Sequence, residues 1–333
     1  MRVGDRIVVA GAGAIGCFVG GLLADAGRHV TLLARPRVID AITRHGLRLT
    51  DFGGLDRAIA PQSLTLSDDP VIMREADIIL VTVKSTDTPA MADLIARHAP
   101  TDAIVVSLQN GVGNPAALRA RLPGRRVLAG MVPFNVQAQG DGRYHRASSG
   151  DIVIARDPAD TAARLSAAGL TMQPSDDIAG VQWGKLIVNL TNALNALSGL
   201  PLREQLAQRA WRRLIADQMA EGVAVLKAAG IKPVSATPIP AGLMPHLLRL
   251  PDSLFQMILG RAMKIDPQAR SSMSDDLARG RRTEIDFLQG VIVELARRHG
   301  RDAPVSRAVI TRVREAEIAA AGLPRLRPEQ IAI

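Results

Sequence analysis

The chain has 333 residues, with 41 Lys and Arg against 32 Asp and Glu for a net charge of +9, and this length suits about two domains with cores of their own. The basic residues are scattered in short pairs such as Arg125-Arg126 and Arg281-Arg282, and aromatic residues make up only 2% of the chain. That excludes a nucleic-acid surface built on a basic stripe and stacked bases, although the positive field still draws small anions.

A single cysteine, Cys17, excludes an internal disulfide. Met1 to Arg6 is too short and polar for a signal peptide, and no apolar run reaches the roughly 18 residues of a membrane span. A cytoplasmic protein with no membrane partner is therefore expected. The six histidines form no metal-ligand spacing with the carboxylates or Cys17, so no metal site is expected.

The apolar strand Ile7-Val8-Val9-Ala10 runs into Gly11-Ala12-Gly13-Ala14-Ile15-Gly16 and then into a small-residue helix ending at Gly27. A second strand, His29 to Ala34, completes a βαβ unit of about 30 residues, the setting in which such glycines bind a dinucleotide. The first glycine permits the turn, the second lets a pyrophosphate approach, and the third lets helix and strand pack closely. An NAD-specific site usually places a carboxylate at the end of the second strand, but Arg35-Pro36-Arg37 stands there. A guanidinium repays a 2′-phosphate with bidentate hydrogen bonds, so NADP(H) is the expected cofactor, with Arg35 the main anchor and Arg37 a weaker candidate.

Buried strands follow at Asp77–Val83, Ala103–Leu108 and Val127–Gly130, and Tyr144–Ala147 with Asp151–Ala155 reads as a hairpin closing the sheet. Ligands in such sheets lie beyond the carboxyl ends of the strands, which singles out Lys84 and Gln109-Asn110-Gly111. Past Gln173-Pro174 the pattern turns helical. The chain is thus expected to be α/β, with a Rossmann-type parallel-sheet domain over residues 1–175 followed by an all-helical domain over 176–333.

Trp183 to Asn195 reads as one apolar helix carrying a few polar residues. At 3.6 residues per turn Asn189 lies roughly 40° from Lys185 and Asn192 roughly 20° to its other side, whereas Asn195 points elsewhere. A lysine and two carboxamides on one face suggest a lined cleft in which an ammonium can stabilise a developing alkoxide and deliver a proton.

These pieces, with Ser271-Ser272-Met273 and Arg282-Thr283-Glu284-Ile285-Asp286, make the whole chain similar to the ketopantoate reductase (2-dehydropantoate 2-reductase) family. The resemblance implies NADPH-dependent reduction of a 2-oxo acid, 2-dehydropantoate, to pantoate on the route to pantothenate. It implies Lys185 as general acid and Glu284 as its partner or a substrate-hydroxyl ligand. Asn189 and Ser272 would contact substrate, and Asn110 would bridge substrate and cofactor. Family members often carry a second asparagine eight residues after the lysine. Here Ala193 occupies that place, and Asn192 is the substitute expected from helical geometry. Thr237 to Asp266 is a candidate pocket-shaping segment or a helical core segment. A reductase of another 2-oxo acid or an imine, and a non-catalytic NADP(H)-binding sensor, are the competing readings. A homodimer is compatible with the sequence, which does not specify one.

Overall fold

The computed structural model describes residues 4–235, 239–260 and 269–331. Parts of the Thr237 to Asp266 segment therefore lie outside the described residues. The chain divides into two compact units, one up to Ile178 and one from Ala179 onward.

The first unit contains strands β1 (Arg6–Ala10), β2 (His29–Leu33), β3 (Leu47–Asp51), β4 (Asp56–Ile59), β5 (Thr65–Ser67), β6 (Ile78–Val81), β7 (Ile104–Ser107), β8 (Val127–Met131), β9 (Val136–Gly140), β10 (Arg143–Arg146), β11 (Ile152–Ala155) and β12 (Met172–Ser175). Its helices are α1 (Ala14–Asp25), α2 (Pro36–His45), α3 (Thr88–His98), α4 (Asn114–Arg121) and α5 (Thr161–Leu165). Eight strands form the main sheet in the order β12-β11-β8-β7-β6-β1-β2-β5. All its pairings are parallel except β8 with β11. The strand order reverses between β1 and β6, the topological switch point of a doubly wound fold.

Successive β1 side chains serve opposite faces of the sheet. Ile7 and Val9 join a core with Phe18 and Leu22 of α1, while Val8 and Ala10 join Met91, Ala92 and Ile95 of α3 and Leu118 of α4. This explains the uninterrupted apolar runs, since a strand covered on both sides has no polar face.

The smaller sheet, in the order β4-β3-β10-β9, accounts for the buried small residues of α1. A Cβ at Gly20 would meet Leu32 and Val9 of the main sheet, and one at Gly21 would meet Leu47 and Leu49 of the small sheet. Helix α1 is thus packed on two sides. Arg146 fastens this layer, with its guanidinium 5.4 Å from the ring centroids of both Phe18 and Phe134 and ion-paired with Asp51.

The expected hairpin of Tyr144–Ala147 with Asp151–Ala155 does not form. Strand β10 pairs with β9 and β3 in the small sheet, and β11 pairs with β8 and β12 in the main one. Ser148 to Gly150 is a crossing between sheets. The Ser148 hydroxyl accepts the Asn135 N–H at 3.0 Å, and a Cβ on Gly150 would strike Pro133. Tyr144 and Ile152 both face the α1 core but from different layers, which periodicity cannot distinguish.

The second unit holds α6 (Ile178–Asn189), α7 (Thr191–Ser198), α8 (Leu202–Ala207), α9 (Arg209–Ala228), α10 (Met244–Leu248), α11 (Asp252–Phe255), α12 (Ser272–Ala278), α13 (Ile285–Arg298) and α14 (Pro304–Ala319). It contains no strand among the described residues. Buried Arg212 on α9 ties its parts together by donating to the carbonyls of Leu206, Ala207, Leu248 and Leu250 and to Asp252. Among the described residues no helix is long and apolar enough to cross a membrane.

Candidate active site

In the first unit the candidate residues line one edge of the sheet, at the carboxyl ends of adjacent strands. Asn110 follows β7, Lys84 follows β6, Gly11 to Gly16 follow β1, and Arg35 follows β2. The glycine turn is held by N–H groups of Gly11 and Ala12 donating to the Leu33 carbonyl at 3.2 and 2.9 Å, and by Thr82 Oγ1 donating to the Gly11 carbonyl at 2.8 Å.

The three glycines have separable causes. Gly11 has φ +94°, and a Cβ there would overlap Val83; a Cβ at Gly16 would lie 2.6 Å from Thr82 Oγ1 and 2.9 Å from Val9. Gly13 is different. It is exposed, its φ of −83° is open to any residue, and a Cβ would meet no protein atom nearer than 3.9 Å. The fold does not require glycine at that position, whereas close approach of a pyrophosphate does. Gly13 also caps α1 without a side-chain hydrogen bond, so the first-turn N–H groups suit an anion. The residues present thus fit a dinucleotide.

Arg35 occupies the N-cap of α2 and is exposed, 3.8 Å from Asp87. Arg37, in the first turn of α2, is exposed too. Lys84 and Asn110 are half-buried. A buried polar network that sequence reading missed fixes both of their loops. Asn114 Nδ2 donates to the Asn110 carbonyl at 2.6 Å and to Ser85 Oγ at 3.1 Å, and Thr88 Oγ1 donates to Asn114 Oδ1 at 2.9 Å. Gln109 Nε2 donates to Thr88 Oγ1 at 2.7 Å and to the Val83 carbonyl at 3.1 Å. Cys17 has no part in this edge. Burial pushes its thiol up to about 12, and it packs as a small residue.

In the second unit Lys185 and Asn189 stand one turn apart on α6, with Asn189 buried and Lys185 half-buried. Desolvation pushes the Lys185 ammonium down to about 8, which brings its proton into a range useful near neutral pH. Gly184 just before it allows the chain at Val234 to lie against α6, where the Val234 N–H donates to the Gly180 carbonyl at 2.9 Å.

The single helix expected over Trp183 to Asn195 is interrupted at Leu190. Gln289 of α13 donates from Nε2 to the Leu190 carbonyl at 2.8 Å. Leu190 is the N-cap of α7, and this side chain adds a bond from α13 to the carbonyl at the junction of the two helices. Leu190 itself keeps helical dihedral angles, φ −55° and ψ −28°, and Asn192, two residues on, is tied to α12. Its carbonyl accepts Ser271 Oγ at 2.8 Å, which brings the start of α12, with exposed Ser272, beside α7.

Asn195 holds the same junction. Its Oδ1 accepts from the Ser271 N–H and Ser274 Oγ, each at 2.9 Å, and its Nδ2 donates to the Leu200 carbonyl and Gln205 Oε1. Every hydrogen-bonding position of that carboxamide is used within the protein. Glu284 is the N-cap of α13, but its side chain does not cap the helix. Its neighbour Thr283 donates from both N and Oγ1 to Glu317 Oε1 at 2.7 Å, and Asp286 pairs with Arg314 at 2.7 Å. Asn189, Asn192, Ser272 and Glu284 therefore sit on elements packed around the α6–α7 break. Among the described residues, no group of three or more His, Cys, Asp or Glu side chains could hold a metal ion.

A doubly wound sheet with a dinucleotide turn at its switch point, joined to a helical unit carrying a desolvated lysine, defines the class of nicotinamide-dependent oxidoreductases. The chain belongs to the ketopantoate reductase PanE/ApbA family: residues 7–158 match the family's N-terminal model and residues 177–317 its C-terminal model. It is 31% identical to a 2-dehydropantoate 2-reductase of Halobacterium salinarum, over 94% of this chain and 99% of that protein. A crystal structure of a PanE/ApbA family ketopantoate reductase from Ralstonia eutropha superposes with a TM-score of 0.80 at 35% identity, covering 94% of this chain and 99% of that one. A 2-dehydropantoate 2-reductase from Geobacter metallireducens gives a TM-score of 0.77 at 26% identity, over 93% and 99% of the two chains.

Proposed function

We propose that this protein reduces 2-dehydropantoate to pantoate with NADPH on the route to pantothenate, with Lys185 as general acid; its relatives named 2-dehydropantoate 2-reductase support the reduction. The observation that carries this reading is the desolvated ammonium of Lys185, pushed down to about 8 and one turn from Asn189. A sensor that only bound the dinucleotide would gain nothing from a desolvated charge of this kind, which costs stability.

Gly13 and the N–H groups at the start of α1 would hold the pyrophosphate of the dinucleotide. Arg35 would hold the 2′-phosphate, and Lys84 and Asn110 would reach the ribose and substrate. Bound there, the reduced nicotinamide supplies the hydride to the carbonyl carbon. Lys185 stabilises the negative charge that develops on the carbonyl oxygen and transfers its proton to it. Asn189, Asn192 and Ser272 orient the 2-oxo acid through their carboxamides and hydroxyl. Glu284 keeps the ammonium aimed or accepts from the substrate hydroxyl.

Oxidation of NADPH by the purified protein with 2-dehydropantoate, beside NADH and a panel of other 2-oxo acids, tests the proposal. Turnover selective for 2-dehydropantoate with NADPH is expected. Tight NADPH binding without turnover of 2-dehydropantoate would move the assignment to another substrate or to a sensor.

A further inference from the structure

Within the second unit, and lined by none of the residues assigned to catalysis, is a pocket of about 590 Å³ whose walls include Arg270, Arg325, Arg327, Glu204 and Trp211. Its volume falls in the range of small-molecule sites, roughly 300–1,000 Å³. Three arginines and a single carboxylate residue are among its lining, and among the described residues none of the three arginines is in an ion pair. Elsewhere the arginines of this chain are commonly matched, as in Arg212 with Asp252, Arg249 with Asp217 and Arg314 with Asp286.

The backbone here is shaped around the arginines. Among the described residues, Arg325 is one of four non-glycine residues at positive φ, with a value of +52°. Such strain in a residue other than glycine concentrates at ligand clamps. Opposite it, Gly199 has φ +64°, and a Cβ there would lie 2.8 Å from Arg325 Cγ. Arg270 reaches the same rim, where its Nη1 donates to the Gly199 carbonyl at 2.7 Å. The segment after α14 that carries Arg325 and Arg327 is fixed to α7 by the Leu326 N–H donating to the Leu197 carbonyl at 2.8 Å. The pocket is therefore held in place from both sides.

We propose that this pocket binds a small polyanion, a ligand carrying phosphate or several carboxylate groups, clamped by Arg270, Arg325 and Arg327. Guanidinium forks match the oxygen geometry of both groups, and an anion relieves the mutual repulsion of the three cations.

The test is calorimetric titration of the full-length protein with pyrophosphate and with citrate, in a low-salt chloride buffer with saturating NADPH so that the dinucleotide site is filled. Binding of one anion per chain is expected. Affinity should fall at least tenfold in R270Q and in the R325Q/R327Q double variant, and should rise in E204Q. Each variant's melting temperature without anion reports whether it folds, and R97Q, on α3, controls for net charge. Preference for pyrophosphate would assign phosphate as the ligand group, and preference for citrate would assign carboxylates. Absence of binding at millimolar anion, or an equal loss of affinity in R97Q, would overturn the proposal.

Discussion

The side-chain amide of Gln289 donates to the backbone carbonyl of Leu190 across 99 residues of sequence, and the helix that carries Lys185 and Asn189 ends one residue before that carbonyl. Both groups are buried, so the bond has no water to replace it. It ties α13 to the junction of α6 and α7, two residues before Asn192. Replacing Gln289 with Leu should cost roughly 0.5–1.5 kcal/mol by removing a buried hydrogen bond between α13 and the α6–α7 junction. Denaturant unfolding should show that loss, and steady-state kinetics should show a raised KM for the 2-oxo acid with the KM for NADPH little changed. Unaltered stability and KM would mean that the junction is held by other contacts.

Lys185 couples activity and stability to pH in opposite directions. Its proton is lost above about pH 8, so reductive turnover should fall roughly tenfold per unit beyond that point. The same depressed pKa means that the unfolded chain binds more protons between about pH 8 and 10.5, so stability should rise with pH across that window. Lys185→Met should abolish most turnover yet gain roughly 1–3 kcal/mol at pH 7, because an apolar side chain has no charge to desolvate. A flat pH–rate profile from 7 to 10 would remove the lysine from the acid role.

The glycines of the turn should separate folding from binding. Gly11→Ala meets Val83 in a left-handed backbone conformation, and Gly16→Ala presses on Thr82 and Val9. Each should destabilise the first unit by roughly 1–3 kcal/mol. Gly13→Ala has open space around its Cβ and should unfold like the parent protein, within about 0.5 kcal/mol. It should nevertheless bind NADPH at least tenfold more weakly, as fluorescence titration can measure. Undiminished affinity would place the pyrophosphate elsewhere.

Arg35 is exposed, and its contact with Asp87 at 3.8 Å contributes little to stability. Arg35→Ala should therefore leave the melting temperature unchanged while lowering kcat/KM for NADPH about tenfold or more and sparing NADH. The ratio of the two coenzymes' kcat/KM values is the measurement. Equal losses with both would assign Arg35 to something other than the 2′-phosphate.

Elements with local causes can be read from residue order alone. The βαβ unit, the buried strands and the change to helices all follow from period, turn chemistry and glycine position over short spans. The spacing of Lys185 and Asn189 was legible because both lie within one uninterrupted helix. What lay beyond reach depends on groups far apart in the chain. The small sheet on α1 pairs β3 with β10 across about a hundred residues, which is why the expected hairpin gives way to a crossing between sheets. The tie of α13 to the α6–α7 junction needs Gln289, the loops of Lys84 and Asn110 need Thr88 and Asn114, and the setting of Glu284 needs Glu317. Local pattern records which face a side chain takes, whereas the partner that ties a helix or fixes a loop is chosen only when distant segments pack.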